Sequence, residues 1–315
     1  MRNLSFAPPT IIDACVSTRL PDMFRRPRRT DWVDANKPGD VLDCFLEGPS
    51  FDRAGNLYVC DIPYGRIFRV DAALRWTLVT EYNGWPNGLA LHADGSLWIA
   101  DYRRGLLRLS AEQLANGSGQ PESLLGHRHS ESFKGLNDLT FDAAGNCYFT
   151  DQGQTGLHDP TGRVYRLGAD GRLSVLLANV PSPNGLALQP DGAVLFVAVT
   201  RANAVWRVPL FEGGCATSKV GEFQRFFGTS GPDGLAFDEQ GCLVVAHASL
   251  GGAFVLNPLG EISHFVRGGV GPAVTNAAFE PQTHRLVLTE STTGSVLAAT
   301  LPGSGHRLYS HAAVP

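Results

Sequence analysis

A unit of about 46 residues recurs six times along this 315-residue chain, and that repetition narrows the possible folds more sharply than any bulk property. The copies open at Glu47, Asn87, Asn137, Asn184, Asp233 and Asn276, spaced by 40, 50, 47, 49 and 43 residues. Each runs through a short apolar segment, a polar turn of D/E-x-x-G type, a second apolar segment, a polar loop and a third apolar segment. A further apolar stretch between copies, such as 76–82 or 173–180, brings the unit to four strands. Four strands at a period in the forties are the sequence form of a propeller blade. The expected fold is therefore all-β, a six-bladed β-propeller with four-stranded antiparallel blades. One helical turn is expected at 110–116. Residues 1–39 read as an N-terminal arm or lid and 40–315 as a single propeller domain, with 41–46 completing the last blade.

Composition agrees with such a chain. Gly 36 and Pro 20 supply turns, and a charged fraction of 18% leaves little for solvated helix faces. A net charge of −4 gives no electrostatic reason for a nucleic-acid partner. No apolar run approaches the ~18 residues of a membrane span, and the first twenty residues lack a signal-peptide core. The six cysteines show no C-x-x-C spacing, and Cys60, Cys147 and Cys242 sit in apolar strand-like runs. A cytoplasmic protein, monomeric or weakly self-associating, is the expectation, and there the Asn116-Gly117-Ser118 sequon has no role. Arg25, Arg26, Arg28 and Arg29 read as a solvated stretch of the arm.

In a propeller the start of every innermost strand faces one mouth of the central channel, so the six opening residues should form a ring there. Two are carboxylates and four are amides, with no Lys or Arg among them. Gathered acceptors carrying two negative charges call for a cation, and oxygen donors without sulfur or imidazole suit hard ions. Asn-Gly and Asp-Gly are also common turn pairs. Six in register, with Glu47 where a turn would not choose Glu, favour a metal site over turns. A second register fourteen residues on holds Asp61, Asp101, Asp151, His247 and Glu290, with Val199 in the fourth copy after one extra residue. These residues are expected to tie blades together by hydrogen bonds, while His247 stands out as an imidazole among carboxylates. Loops 24–32, 82–85, 102–104 and 127–133 should surround the mouth, where Trp85 and Tyr102 would form an aromatic wall.

The ordered set Glu47-Gly48-Pro49, Leu136-Asn137-Asp138, Pro183-Asn184-Gly185, Pro232-Asp233-Gly234 and Thr275-Asn276 resembles the SMP-30/gluconolactonase/LRE-like family over about residues 40–302. The resemblance implies a divalent metal at the channel mouth, held by Glu47, Asn184, Asp233 and Asn137. Ca²⁺ is the first expectation, with Mg²⁺, Mn²⁺ and Zn²⁺ as alternatives. It implies a catalytic role for Asp233 and a small-molecule lactone as substrate. Substrate contacts are expected from Asn137, Asn87, Trp85, Tyr102, His247 and Asn276. One departure points away from an aldonolactone: sugar-lactone members carry Arg where this chain has Gly135. The expected reaction is hydrolysis of a cyclic ester, with the metal polarising the carbonyl and Asp233 assisting water. Two rivals are a phosphotriesterase-like hydrolase on the same site and a non-enzymatic propeller that binds a partner through its face.

Overall fold

The computed structural model describes residues 8–117 and 119–311. Residues 1–7 of the expected arm, residues 312–315 of the expected propeller and Ser118 of the sequon lie outside the described residues. Six antiparallel sheets follow one another around an axis. Their innermost strands are Leu46–Phe51, Pro86–Leu91, Leu136–Phe141, Pro183–Leu188, Pro232–Phe237 and Val274–Phe279. Each innermost strand packs on that of the next blade, and the sixth packs on the first, which closes the ring. The architecture is the expected six-bladed propeller. Its core lies between sheets: Phe196, Val205 and Phe226 of blade four, for example, pack with Phe237, Val245 and Phe254 of blade five.

The D-x-x-G signal has a direct local cause. Asp52 Oδ1 accepts the backbone N–H groups of Ala54 and Asn56, both at 2.9 Å, while Gly55 takes φ +80°. The side chain satisfies turn donors, and glycine occupies the left-handed position without steric cost. Asp142 and Asp238 cap the matching hairpins of blades three and five in the same way.

Ring closure differs from the expectation. Cys15–Arg19, not 41–46, pairs antiparallel with Ser295–Thr300 as the outermost strand of blade six. Thr10–Asp13 adds a fifth, parallel strand to blade five alongside Ile262–Arg267. Segment 41–46 is unavailable because it already leads into blade one: Leu46 opens the innermost strand, and the Phe45 N–H is held by Asp61 Oδ1 at 2.7 Å. The boundary expected at residue 39 therefore does not separate arm from propeller, since 10–19 belong to two of its sheets.

Residues 20–45 run over the face on which the innermost strands begin. Arg25 donates to Thr293 O (2.8 Å) of blade six and Arg66 of blade one to Phe24 O (2.6 Å). A short helix not foreseen from the sequence, Asp31–Asn36, is capped by Thr30 Oγ1, which accepts the Val33 N–H at 3.3 Å. Its Asn36 meets Gln154 of blade three at 3.1 Å, so this segment reaches across the mouth. The helix expected at 110–116 is present as Ala111–Asn116, with a capping box between Ser110 and Gln113. Among the described residues no helix is long and apolar enough to cross a membrane.

At the opposite face the channel is stopped by residues 306–311. The Tyr309 ring lies 5.7 Å from that of Phe141 and 5.1 Å from that of His92, and Arg53 donates to Ser310 O at 2.7 Å. Between this stopper and Asp138 and Asn276 lies a cavity of about 520 Å³, walled largely by Leu and Phe from the innermost strands.

Candidate metal centre

Every innermost strand has a register shift in its first residues, where it pairs with the second strand. A bulge of this kind re-aims side chains and frees backbone carbonyls from the ladder. Hydroxyl or thiol groups of the preceding blade take up several of those carbonyls. Cys60 Sγ donates to Asn87 O (2.9 Å), Thr150 Oγ1 to Asn184 O (2.8 Å), Thr200 Oγ1 to Pro232 O (2.8 Å) and Ser291 Oγ to Leu46 O (2.7 Å). The ring of opening residues is thus clamped blade to blade by side chains that no motif marks.

The structure corrects the register of the sixth copy. Val274 pairs with Glu290 as Leu46 pairs with Asp61 and Pro232 with His247. Thr275 is therefore the sixth opening residue, and Asn276 lies one position further on. That next position forms a second ring: Gly48, Gly88, Asp138, Gly185, Gly234 and Asn276. Four glycines alternate with two polar side chains for a steric reason. A Cβ on Gly88 would come within 2.5 Å of Asp138 Oδ1, and one on Gly234 within 1.8 Å of Asn276 Oδ1. The neighbouring blade's polar side chain fills the space each of these two glycines leaves.

Asn276 bridges the two rings. Its Nδ2 donates to Glu47 Oε2 at 3.0 Å and its amide also hydrogen-bonds Asp138, while its own Oδ1 accepts the Ala277 N–H at 2.8 Å. Glu47 further accepts the Gly48 N–H at 2.8 Å, and Asp138 the Leu139 N–H at 2.8 Å. Asn184 hydrogen-bonds Asp233. Glu47, Asn137, Asp138, Asn184, Asp233 and Asn276 are all buried, whereas Asn87 is partly exposed.

Three carboxylates in this space sense one another. Burial raises Glu47 to about 7, reinforced by the charge of Asp138. Burial likewise raises Asp138 to about 7. Asp233 is pushed well above the usual carboxylate range by burial, then by the charges of Glu47 and Asp138. Such a cluster either holds protons or holds a cation. The donors, carboxylate and amide oxygens without sulfur or imidazole, have the chemistry of a hard dication site. Among the described residues no three Asp, Glu, His or Cys side chains converge on one point, so an ion here would take amide oxygens alongside Glu47 and Asp233.

Asp138 was not singled out by the sequence reading, because its neighbour Asn137 carries the motif. The signal was available: four copies have glycine at this position, and copies three and six do not. Asn137 donates to Gln152 Oε1 at 2.9 Å, and Gln152 in turn donates to Ser182 Oγ at 3.0 Å. Trp85 and Tyr102 lie with ring centroids 5.7 Å apart in loops on the mouth face. The Tyr102 hydroxyl accepts from Gln154 Nε2 at 2.8 Å, and its ring covers Gly135, where a Cβ would meet three ring atoms at 2.6–2.7 Å. No larger side chain fits at Gly135 while Tyr102 stays in place.

His247 is fully buried, its ring set against Phe226 and Phe254 with Nε2 3.3 Å from Asn203 Oδ1. Burial lowers it to about 4. The carboxylates of its register hold backbone, chiefly within their own blades. Asp151 accepts the Gly135 N–H (2.8 Å), Asp101 those of Arg103 and Arg104 (2.8 Å each), and Glu290 those of Thr292 (3.0 Å) and Thr293 (2.9 Å).

The profile of the SMP-30/gluconolactonase/LRE-like region matches residues 45–292. The chain belongs to this family. A gluconolactonase of Zymomonas mobilis is 28% identical over 299 residues, spanning 84% of this chain and 82% of that protein. The lactonase drp35 of Staphylococcus aureus strain MW2 is 28% identical over 274 residues, 82% of this chain and 80% of that one. A solved structure described as a gluconolactonase of Xanthomonas campestris superposes with TM-score 0.72 at 22% identity, covering 91% of this chain and 99% of that one. Regucalcin of Agrobacterium tumefaciens, described as calcium-binding, superposes with TM-score 0.73 at 21% identity, covering 96% and 99%. These two likenesses concern the fold.

Proposed function

We propose that the protein is a divalent-metal-dependent lactonase whose site is the pair of rings at the channel mouth. The observation that carries this reading is the buried trio Glu47, Asp138 and Asp233, drawn from three blades and all raised by burial. The names of the curated relatives, gluconolactonase and lactonase, point the same way. Glu47, Asp233, Asn184 and Asn137 are the residues that would hold the ion. A bound dication, with Ca²⁺ the first choice, would polarise the ester carbonyl and offset charge developing on its oxygen.

The chain's own residues do the rest. Asn184 fixes one side of the Asp233 carboxylate by hydrogen bonding. Asn276 and the Gly48 N–H fix the Oε2 side of the Glu47 carboxylate. Asp233 accepts a proton from water as the water oxygen adds to the carbonyl carbon. The ring C–O bond then breaks, and Asp233 returns the proton to the departing alkoxide, leaving a hydroxy acid. The part-exposed Asn87 and the Trp85–Tyr102 pair line the approach. Asp233→Asn keeps the shape of the side chain and removes the base. It is expected to leave circular dichroism unchanged and to lower kcat on a lactone panel by about 10³-fold. A variant that keeps the wild-type rate would take Asp233 out of this role.

A further inference from the structure

The cations around the mouth are mostly committed. Arg25 pairs with Asp43 at 2.9 Å, Arg163 with Glu131 at 2.8 Å, and Arg66 with Asp61 in a buried pair. Arg103 lies 4.0 Å from Asp31 and over the Trp85 ring, and Arg104 lies over the Tyr82 ring. Arg201 differs. It is exposed, and among the described residues no carboxylate pairs with it.

Its backbone position is fixed nonetheless. Arg201 lies in the single turn Thr200–Ala202 that follows the second strand of blade four. Thr200 donates its N–H to Ser182 O (3.1 Å) and its hydroxyl to Pro232 O (2.8 Å), the residue immediately before Asp233. Gly231 packs so closely on this turn that a Cβ there would lie 2.1 Å from Thr200 O. On the blade-three side, a Cβ on Gly156 would lie 3.6 Å from Arg201 Cγ. The backbone of Arg201 is therefore mounted on a turn tied to the strand of Asp233, and its charge acts, weakly, to lower that carboxyl against burial.

We propose that Arg201 is a specificity residue that binds an anionic group of the substrate, so that the preferred lactone carries a carboxylate beside its ester ring. The proposal rests on the lactonase reading above. A guanidinium offers two parallel N–H donors to a carboxylate, which gives orientation as well as attraction. An anchor on the turn tied to the strand of Asp233 would set the ring ester against the base, whereas a neutral lactone would gain nothing from it.

The test is equilibrium binding, by calorimetry, of a ring that the enzyme cannot open as an ester. The probes are 5-oxopyrrolidine-2-carboxylate and its carboxamide, titrated into the ion-loaded wild type, Arg201→Gln and Arg201→Lys. Wild type is expected to prefer the carboxylate. Arg201→Gln should weaken carboxylate binding about 30-fold and carboxamide binding less than 3-fold, with Arg201→Lys in between. Equal losses on the two probes, or no carboxylate preference in wild type, would overturn the proposal. Because the lactam is not turned over, this readout is separate from lactonase activity: a carboxylate preference in a protein that opens no lactone would sink the enzymatic reading and leave anion binding at Arg201 standing.

Discussion

Asp138→Asn is the sharpest perturbation of the buried carboxylate trio, because asparagine keeps an oxygen for the Leu139 N–H and removes only the charge. In the folded chain Asp138 titrates at about 7 instead of 3.8, so it holds a proton that the unfolded chain has released. A carboxyl raised in this way contributes full stability below pH 3.8, and that contribution is lost as pH rises toward 7. The whole excursion corresponds to roughly 4 kcal/mol, of which roughly 3 falls between pH 5 and pH 8. Glu47 and Asp233 add slopes of the same sign, and removing the Asp138 charge relieves both. Urea unfolding in chelator at pH 5, 6.5 and 8, followed by circular dichroism, should show wild type losing stability as pH rises. Asp138→Asn should lose at least about 3 kcal/mol less over the same range. Parallel curves for the two proteins would refute the claim that burial holds this carboxylate in its protonated form.

Gly234→Ala forces a Cβ to within 2.6 Å of the Asn276 Cα as well as onto its side chain, so blades five and six must separate. It should cost about 3 kcal/mol in urea unfolding, against less than about 0.5 kcal/mol for Gly221→Ala, which has open space around it. Removing residues 1–19 strips the outermost strand from blade six and leaves Ser295–Thr300 as an open edge. Amide exchange in that strand should then rise to the fastest of any strand in the ring, with a lowered unfolding midpoint; unchanged exchange would contradict closure by Cys15–Arg19.

The blades were legible because the hairpins of blades one, three and five repeat one local device, an Asp cap followed by a left-handed glycine, as at Asp52 and Gly55. Capping chemistry made the 110–116 helix readable for the same reason. Ring closure was not readable: Cys15 meets Ala298 across 283 residues, and no local pattern encodes such a pairing. The sixth register slipped because Asn276 shares a residue type with its supposed counterparts. Counting back from the apolar residue that ends each innermost strand, Phe279 here and Phe237 in blade five, would have pointed to Thr275. Asp138 is masked in the same way, because its neighbour Asn137 occupies the opening position and carries the Leu-Asn-Asp motif. His247 looked chemical in sequence because it replaces carboxylates, yet Phe226 and Phe254 surround it.

Calorimetric titration of chelated protein with Ca²⁺ at pH 8 tests the shared-ion account most directly. Wild type should take up one ion per chain, and Glu47→Gln, Asn184→Ala and Asp233→Asn should each weaken uptake by about 100-fold, since each removes an oxygen donor or its charge. Saturable binding that all three variants keep at wild-type affinity would contradict it.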